Sequence, residues 1–116
     1  MKRHAAPRSQ LTKATPFAVE NALKRLGSNL RTARLRRNLS LAELAGKLGV
    51  DRHVLSDAEN GKSGTGAGIY VGMLWAMNLL PSLDGVANPK ADEEGLALSG
   101  LDERERARGG GPSNAF

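Results

Sequence analysis

No cysteine occurs in the 116 residues, which excludes a disulfide framework and any thiolate-held metal. Aromatic residues make up 3% of the chain, so a core must be aliphatic, and the abundance of Ala and Leu favours helices. No apolar run approaches the roughly 20 residues that cross a bilayer. The basic start, MKRHAAPRSQLTKATP, lacks the apolar segment of a secretory signal. A cytoplasmic protein with one modest core and tails is the expectation for this length. Acids are nearly missing from the first 40 residues, where Glu20 stands alone against ten Lys and Arg. Most acids follow position 83: Asp84, Asp92, Glu93, Glu94, Asp102, Glu103 and Glu105. A basic first half is the footprint of a phosphate-binding surface, although a solvated helix face has the same composition.

What the sequence does contain is a well-punctuated stretch from Leu39 to Lys62, LSLAELAGKLGVDRHVLSDAENGK. Ser40 is a good N-cap, and Glu43 three residues later completes a capping box. Leu41, Leu44, Ala45 and Leu48 then recur at helical spacing. Gly49 follows, where a left-handed residue ends a helix. Val50 reads as a buried hinge and Asp51 as the N-cap of a second helix. That helix turns Val54, Leu55 and Ala58 inward and leaves Arg52, His53, Ser56 and Asp57 outward, and Asn60-Gly61 closes it. Two short helices about a glycine turn, the second with a polar outer face, are the layout of a helix-turn-helix.

The segment resembles the Xre/Cro-type family, whose pattern is Ser/Thr-x-x-Glu-Leu-Ala, Gly-Val, a small N-cap, then Ile/Leu-Ser-x-x-Glu-x-Gly-Lys. The matching residues are Ser40, Glu43, Leu44, Ala45, Gly49, Val50, Leu55, Ser56, Glu59, Gly61 and Lys62. One departure is Leu41, where the family often has a phosphate-gripping Gln; the backbone N–H groups of that helix start remain available. The resemblance implies an all-α, compact, five-helix, lambda-repressor-like domain over residues 16–87, with the motif at about 40–61. It implies that the second helix enters the major groove of operator DNA, with Arg52 and His53 as leading base readers and Ser56 and Asp57 one turn on. Arg52 can grip guanine O6 and N7, and Asp57 can accept from cytosine N4 or hold Arg52 or His53 in place. Arg36, Arg37, Ser40, Asn60 and Lys62 are the expected phosphate contacts. The resemblance also implies a salt bridge between Arg34 and Glu59. So small a module is expected to act as a homodimer on a palindrome, with half-sites about 34 Å apart.

Outside the motif, residues 1–15 read as a flexible basic arm, idle or tracking DNA. From Pro16 a first long helix runs to about Arg37 on Leu23, Leu26, Leu30 and Ala33. Residues 62–68, KSGTGAG, lack the Gly-Lys-Ser/Thr ending of a phosphate loop and read as a connector. Ala67, Tyr70, Leu74 and Met77 then mark a fourth helix to about Leu79, and PSLDGVA a short fifth. Trp75 and Leu79 lie off that stripe; with Leu80 and Leu83 they form either a twofold dimer or partner surface or a cap on the core. Residues 88–116 read as a mostly disordered acidic and Gly-rich tail, whose terminal Phe116 could insert into a partner.

Two further stretches, LGSNLRTARLRR at 26–37 and IYVGMLWAMNLL at 69–80, are similar to those of HipB-type antitoxins. That resemblance spans about residues 23–90. It implies a HipA-like serine/threonine kinase toxin as partner and repression of a shared operon. A free-standing, phage-repressor-like regulator and an interaction module without DNA binding are the other readings. No enzyme is expected: His4 and His53 have no ligand-spaced companions, and His53, Ser56 and Asp57 share a helix face without an oxyanion pocket. Neither metal nor cofactor is expected.

Overall fold

The stripe of Leu23, Leu26, Leu30 and Ala33 does organise a long helix. In the computed structural model, which describes residues 10–108, α2 spans Phe17–Arg36 and follows a short α1 at Gln10–Lys13. Glu20 in the first turn of α2 and Arg34 and Arg36 in its last complement the helix dipole. Three short helices come next: α3 (Leu41–Leu48), α4 (Arg52–Glu59) and α5 (Ala67–Ala76). Among the described residues no strand occurs. No described helix is long and apolar enough to cross a membrane.

Each of these four helices stops in the same way. A residue with positive φ follows it: Asn38 at 54°, Gly49 at 66°, Gly61 at 71° and Asn78 at 61°. The next N–H then reaches back five residues: Leu39 to Arg34 O, Val50 to Ala45 O, Lys62 to Asp57 O and Leu79 to Leu74 O. These closures satisfy carbonyls that a helix end would leave bare, and they fix the direction of the outgoing chain. Asn78 is the reason α5 ends at Ala76, short of the Leu79 expected from the apolar pattern.

The core is small and aliphatic, with Leu30, Leu44, Leu55, Met73 and Met77 almost fully enclosed. α4 lies at its centre, packing on α2, α3 and α5. Ala67, expected on the inner stripe of α5, is exposed in its first turn, and Met73 takes the inner position one and a half turns later.

The chain divides between Leu80 and Pro81 into two compact units. A 3-10 helix occupies Leu80–Gly85, where a fifth helix is expected, and α6 runs from Glu93 to Arg108. Two α-helices thus add to the five expected. α1 falls within the supposed arm, whose residues 1–9 lie outside the described residues, as do residues 109–116 with Phe116. α6 replaces expected disorder. Its sequence is rich in Leu, Ala, Glu and Arg, all strong helix formers. Asp92 accepts from the N–H of Gly95 at 2.9 Å, and Asp102 pairs with Arg106 one turn on at 2.9 Å.

Candidate nucleic-acid interface

Everything that α4 can present outward depends on how its inner side is held. Leu55 and Ala58 are wholly enclosed. Asp51 caps the first turn, its carboxylate accepting from the His53 N–H at 2.7 Å. At the other end, Glu59 receives two bonds from Arg34, Nε to Oε2 at 2.7 Å and Nη2 to Oε1 at 3.0 Å. Nη1 of the same guanidinium donates to the carbonyl of Leu39 at 2.8 Å. Side-chain exposures of 9% and 6% make this a buried fork-to-fork pair. The bond to Glu59 raises the Arg34 pKa further, against the opposing effect of burial. Through the Leu39 carbonyl the same side chain also steadies the approach to α3.

Two glycines bring α2 and α4 together. A Cβ on Gly27 would fall on the backbone carbonyls of Ala58 and Glu59. A Cβ on Gly61, which needs its positive φ as well, would lie 2.7 Å from the Lys24 backbone. Neither contact is legible from a motif match. A glycine in the middle of a 20-residue helix was nonetheless a signal, because it costs about 1 kcal/mol relative to Ala and requires a packing reason.

With its inner side locked, α4 exposes Arg52 and His53, leaves Ser56 and Asp57 half-buried, and ends at exposed Asn60. These positions share one helical face. Asp57 is ion-paired with Lys62 at 3.1 Å, instead of with Arg52 or His53. Both partners are substantially exposed, so the pair is weak and separable. Arg36 is exposed at the end of α2, and Arg37 turns Nη1 back onto the Ala33 carbonyl at 2.9 Å. Ser40 sits in a complete capping box: its hydroxyl accepts from the Glu43 N–H and its own N–H donates to the Glu43 carboxylate, both at 3.0 Å. The bonds from the Ser40 backbone and side chain hold the Glu43 carboxyl below its ordinary range.

A polar groove that the motif does not announce runs beside α4, lined by Thr12, Lys24, Asp57, Lys62 and Ser63 among others. The hydroxyls of Thr15 and Ser63 share a 3.1 Å hydrogen bond that ties the end of α1 to the connector after α4. Tyr70 donates its hydroxyl to the Lys62 carbonyl at 3.5 Å. Elsewhere, Trp75 is 60% exposed and does not cap the core. Leu79 is half-buried and Leu80 exposed; Leu83, in the second unit, is half-buried. Among the described residues, no three His, Asp or Glu side chains gather as a metal site would require.

No curated protein and no solved structure gives a significant match to the chain. Residues 25–74 match the family model of a helix-turn-helix domain. The matched stretch contains α3, its left-handed glycine turn and α4, with Arg34 and Glu59 both inside it. Sequence match and geometry agree: residues 25–74 form a helix-turn-helix domain, similar to those of the Xre/Cro kind.

Proposed function

We propose that the chain is a sequence-specific DNA-binding transcription regulator that reads an operator through α4. The observation that carries this reading is the contrast between the two sides of α4: an inner side locked by Leu55, Ala58 and the Arg34–Glu59 pair, and an outer side offering Arg52 and His53 to solvent. A rigid mount is what base readout needs, since a bidentate arginine discriminates only when its backbone is held. Arg52 and His53 read bases, Ser56 adds a contact one turn on, and Arg36, Ser40, Asn60 and Lys62 grip phosphates with the N-terminal amides of α3. Arg37 joins them after releasing the Ala33 carbonyl, and Asp57 holds Lys62 toward the backbone. Two copies bind a palindrome, and exposed Trp75 and Leu80 with half-buried Leu79 supply a dimer or partner surface on the first unit.

The finer reading is an antitoxin that represses its own operon and restrains a HipA-like kinase. It is supported by the likeness of residues 26–37 and 69–80 to HipB-type antitoxins. A regulator without a toxin partner is the alternative.

The test is binding to the DNA upstream of the gene across a salt series, with Arg52→Ala/His53→Ala alongside. Preference for that DNA over scrambled duplex, lost in the double variant, is the expected result. Equal binding of both proteins to any duplex would remove the base-reading assignment. Co-purification with the product of a neighbouring kinase-like gene separates antitoxin from free-standing regulator.

A further inference from the structure

The second unit contains a helix that enters no core among the described residues. α6 has no buried residue, and Leu96, Leu98 and Leu101 are each more than half exposed. Sixteen residues that bury nothing make a marginal helix in water. Helical spacing puts Glu93, Ala97, Gly100, Leu101, Arg104 and Arg108 on one face, with Glu94 at its edge. The exposed pair Asp102–Arg106 lies on the opposite face. Along the first face, acids stand at the start, small residues and one leucine in the middle, and arginines at the end. The charges alone would be explained by the helix's own dipole. Gly100 is not. It weakens the middle of the helix, and a Cβ there would meet nothing within 4 Å, so nothing in the described chain requires a glycine.

We propose that this face pairs with the same face of a second copy of the chain, α6 against α6, antiparallel. In the register centred between Gly100 and Leu101, Glu93 stands beside the partner's Arg108, and Ala97 beside the partner's Arg104. The Leu101 side chain of each copy lies over the glycine of the other. Twofold symmetry makes every contact twice, as an isologous interface demands. A parallel pairing would instead set Glu93 and Glu94 against their own copies. The interface uses no residue of α4, and it adds a contact to the dimer of the proposed function.

The experiment uses the full chain without DNA, followed by sedimentation across a concentration series at low salt. One variant carries Glu93→Lys/Glu94→Lys and a second carries Arg104→Glu/Arg108→Glu. Each alone is expected to self-associate at least about tenfold more weakly than the wild type, because attractive ion pairs become repulsions at both ends of the twofold interface. An equimolar mixture of the two recovers a heterodimer at wild-type strength. A wild-type chain that stays monomeric, variants that associate as tightly as the wild type, or a mixture no tighter than either variant would each overturn the proposal. Binding of all three proteins to a single DNA half-site is measured in parallel. That affinity depends on α4 and stays close to the wild-type value if only the α6 pairing fails.

Discussion

Removing Arg34 tests how α4 is mounted. Arg34→Ala deletes two charge-assisted bonds to Glu59 and one bond to the Leu39 carbonyl. It leaves a carboxylate whose side chain is only 6% exposed. Breaking one side of such a pair costs about 3–5 kcal/mol, because the abandoned charge is still desolvated. Domains of this size have total stabilities of about 5–15 kcal/mol, so the loss is a large share of the whole. The expected observation is a lower urea midpoint by circular dichroism with an unchanged slope. The companion variant Arg34→Met/Glu59→Leu removes both charges together. Replacing a buried pair by apolar side chains is often neutral or stabilising, so the double variant is expected well above the single one. Adding the single variants Arg34→Met and Glu59→Leu closes the cycle, and the change in the double variant minus the sum of those two single changes is the coupling energy of the pair. Two results would refute the reasoning: Arg34→Ala within about 0.5 kcal/mol of wild type, as for an ordinary surface change, or a double variant no more stable than the single.

Gly27→Ala is expected to destabilise by at least about 1–3 kcal/mol, since its methyl would fall on fixed backbone carbonyls. Gly46→Ala, exposed on α3 with nothing within 4 Å of the added carbon, is expected to stabilise by about 0.5–1 kcal/mol; thermal melts of the two decide both. Arg52→Ala is expected to relax base preference by about 1–3 kcal/mol at one position, while Lys62→Ala weakens all duplexes alike and lowers the salt slope by about one; competition binding against single-base operator variants separates the two. Glu43 has a lowered pKa in the fold, so its capping contribution is present above the ordinary value of 4.5 and is lost as pH falls through the depressed folded value. Glu43→Gln is therefore expected to flatten the acid limb of stability against pH, measured by urea unfolding between neutral pH and the onset of acid denaturation.

Local punctuation in the sequence carried most of the first unit. Ser40, Glu43, Gly49 and Asp51 do in the structure what their residue types favour: a capping box, a left-handed stop and a second cap. Period-3.6 spacing located α2 to α5 to within a few residues because each buries a stripe. Asn38 and Asn78 were less legible, since only the backbone geometry distinguishes a left-handed asparagine from an ordinary polar residue. A glycine in mid-helix signals a packing reason at Gly27, but its partner and that of Gly61 lie in the carbonyls and backbone of a different helix, which no one-dimensional pattern names. α6 is not legible from periodicity because its leucines do not form a buried stripe, and its order shows in propensity and capping alone. The spacing offered Arg52 or His53 to Asp57 and not Lys62, whose approach depends on the left-handed turn at Gly61 that returns the Lys62 N–H to the Asp57 carbonyl.

The fixings of α4 are unevenly distributed, and that asymmetry bears on function. Gly27, Gly61 and the Arg34–Glu59 pair all act on its C-terminal turn. The N-terminal turn is held by the Asp51 cap, by the Val54 N–H donating to the Asp51 carbonyl at 3.0 Å, and by the packing of Leu55. The reading residues Arg52 and His53 stand exposed on that N-terminal turn. With both turns held, the outward side chains adjust to base edges while the axis of the helix stays fixed. Changes at the C-terminal turn therefore lower stability and DNA affinity together, whereas changes at Arg52 or His53 lower affinity and leave stability untouched. The same logic explains why a buried ion pair persists in so small a core. An apolar replacement could match its stability, but it would not hold the Leu39 carbonyl and Glu59 in one rigid fork, and with them the entry to α3 and the exit of α4.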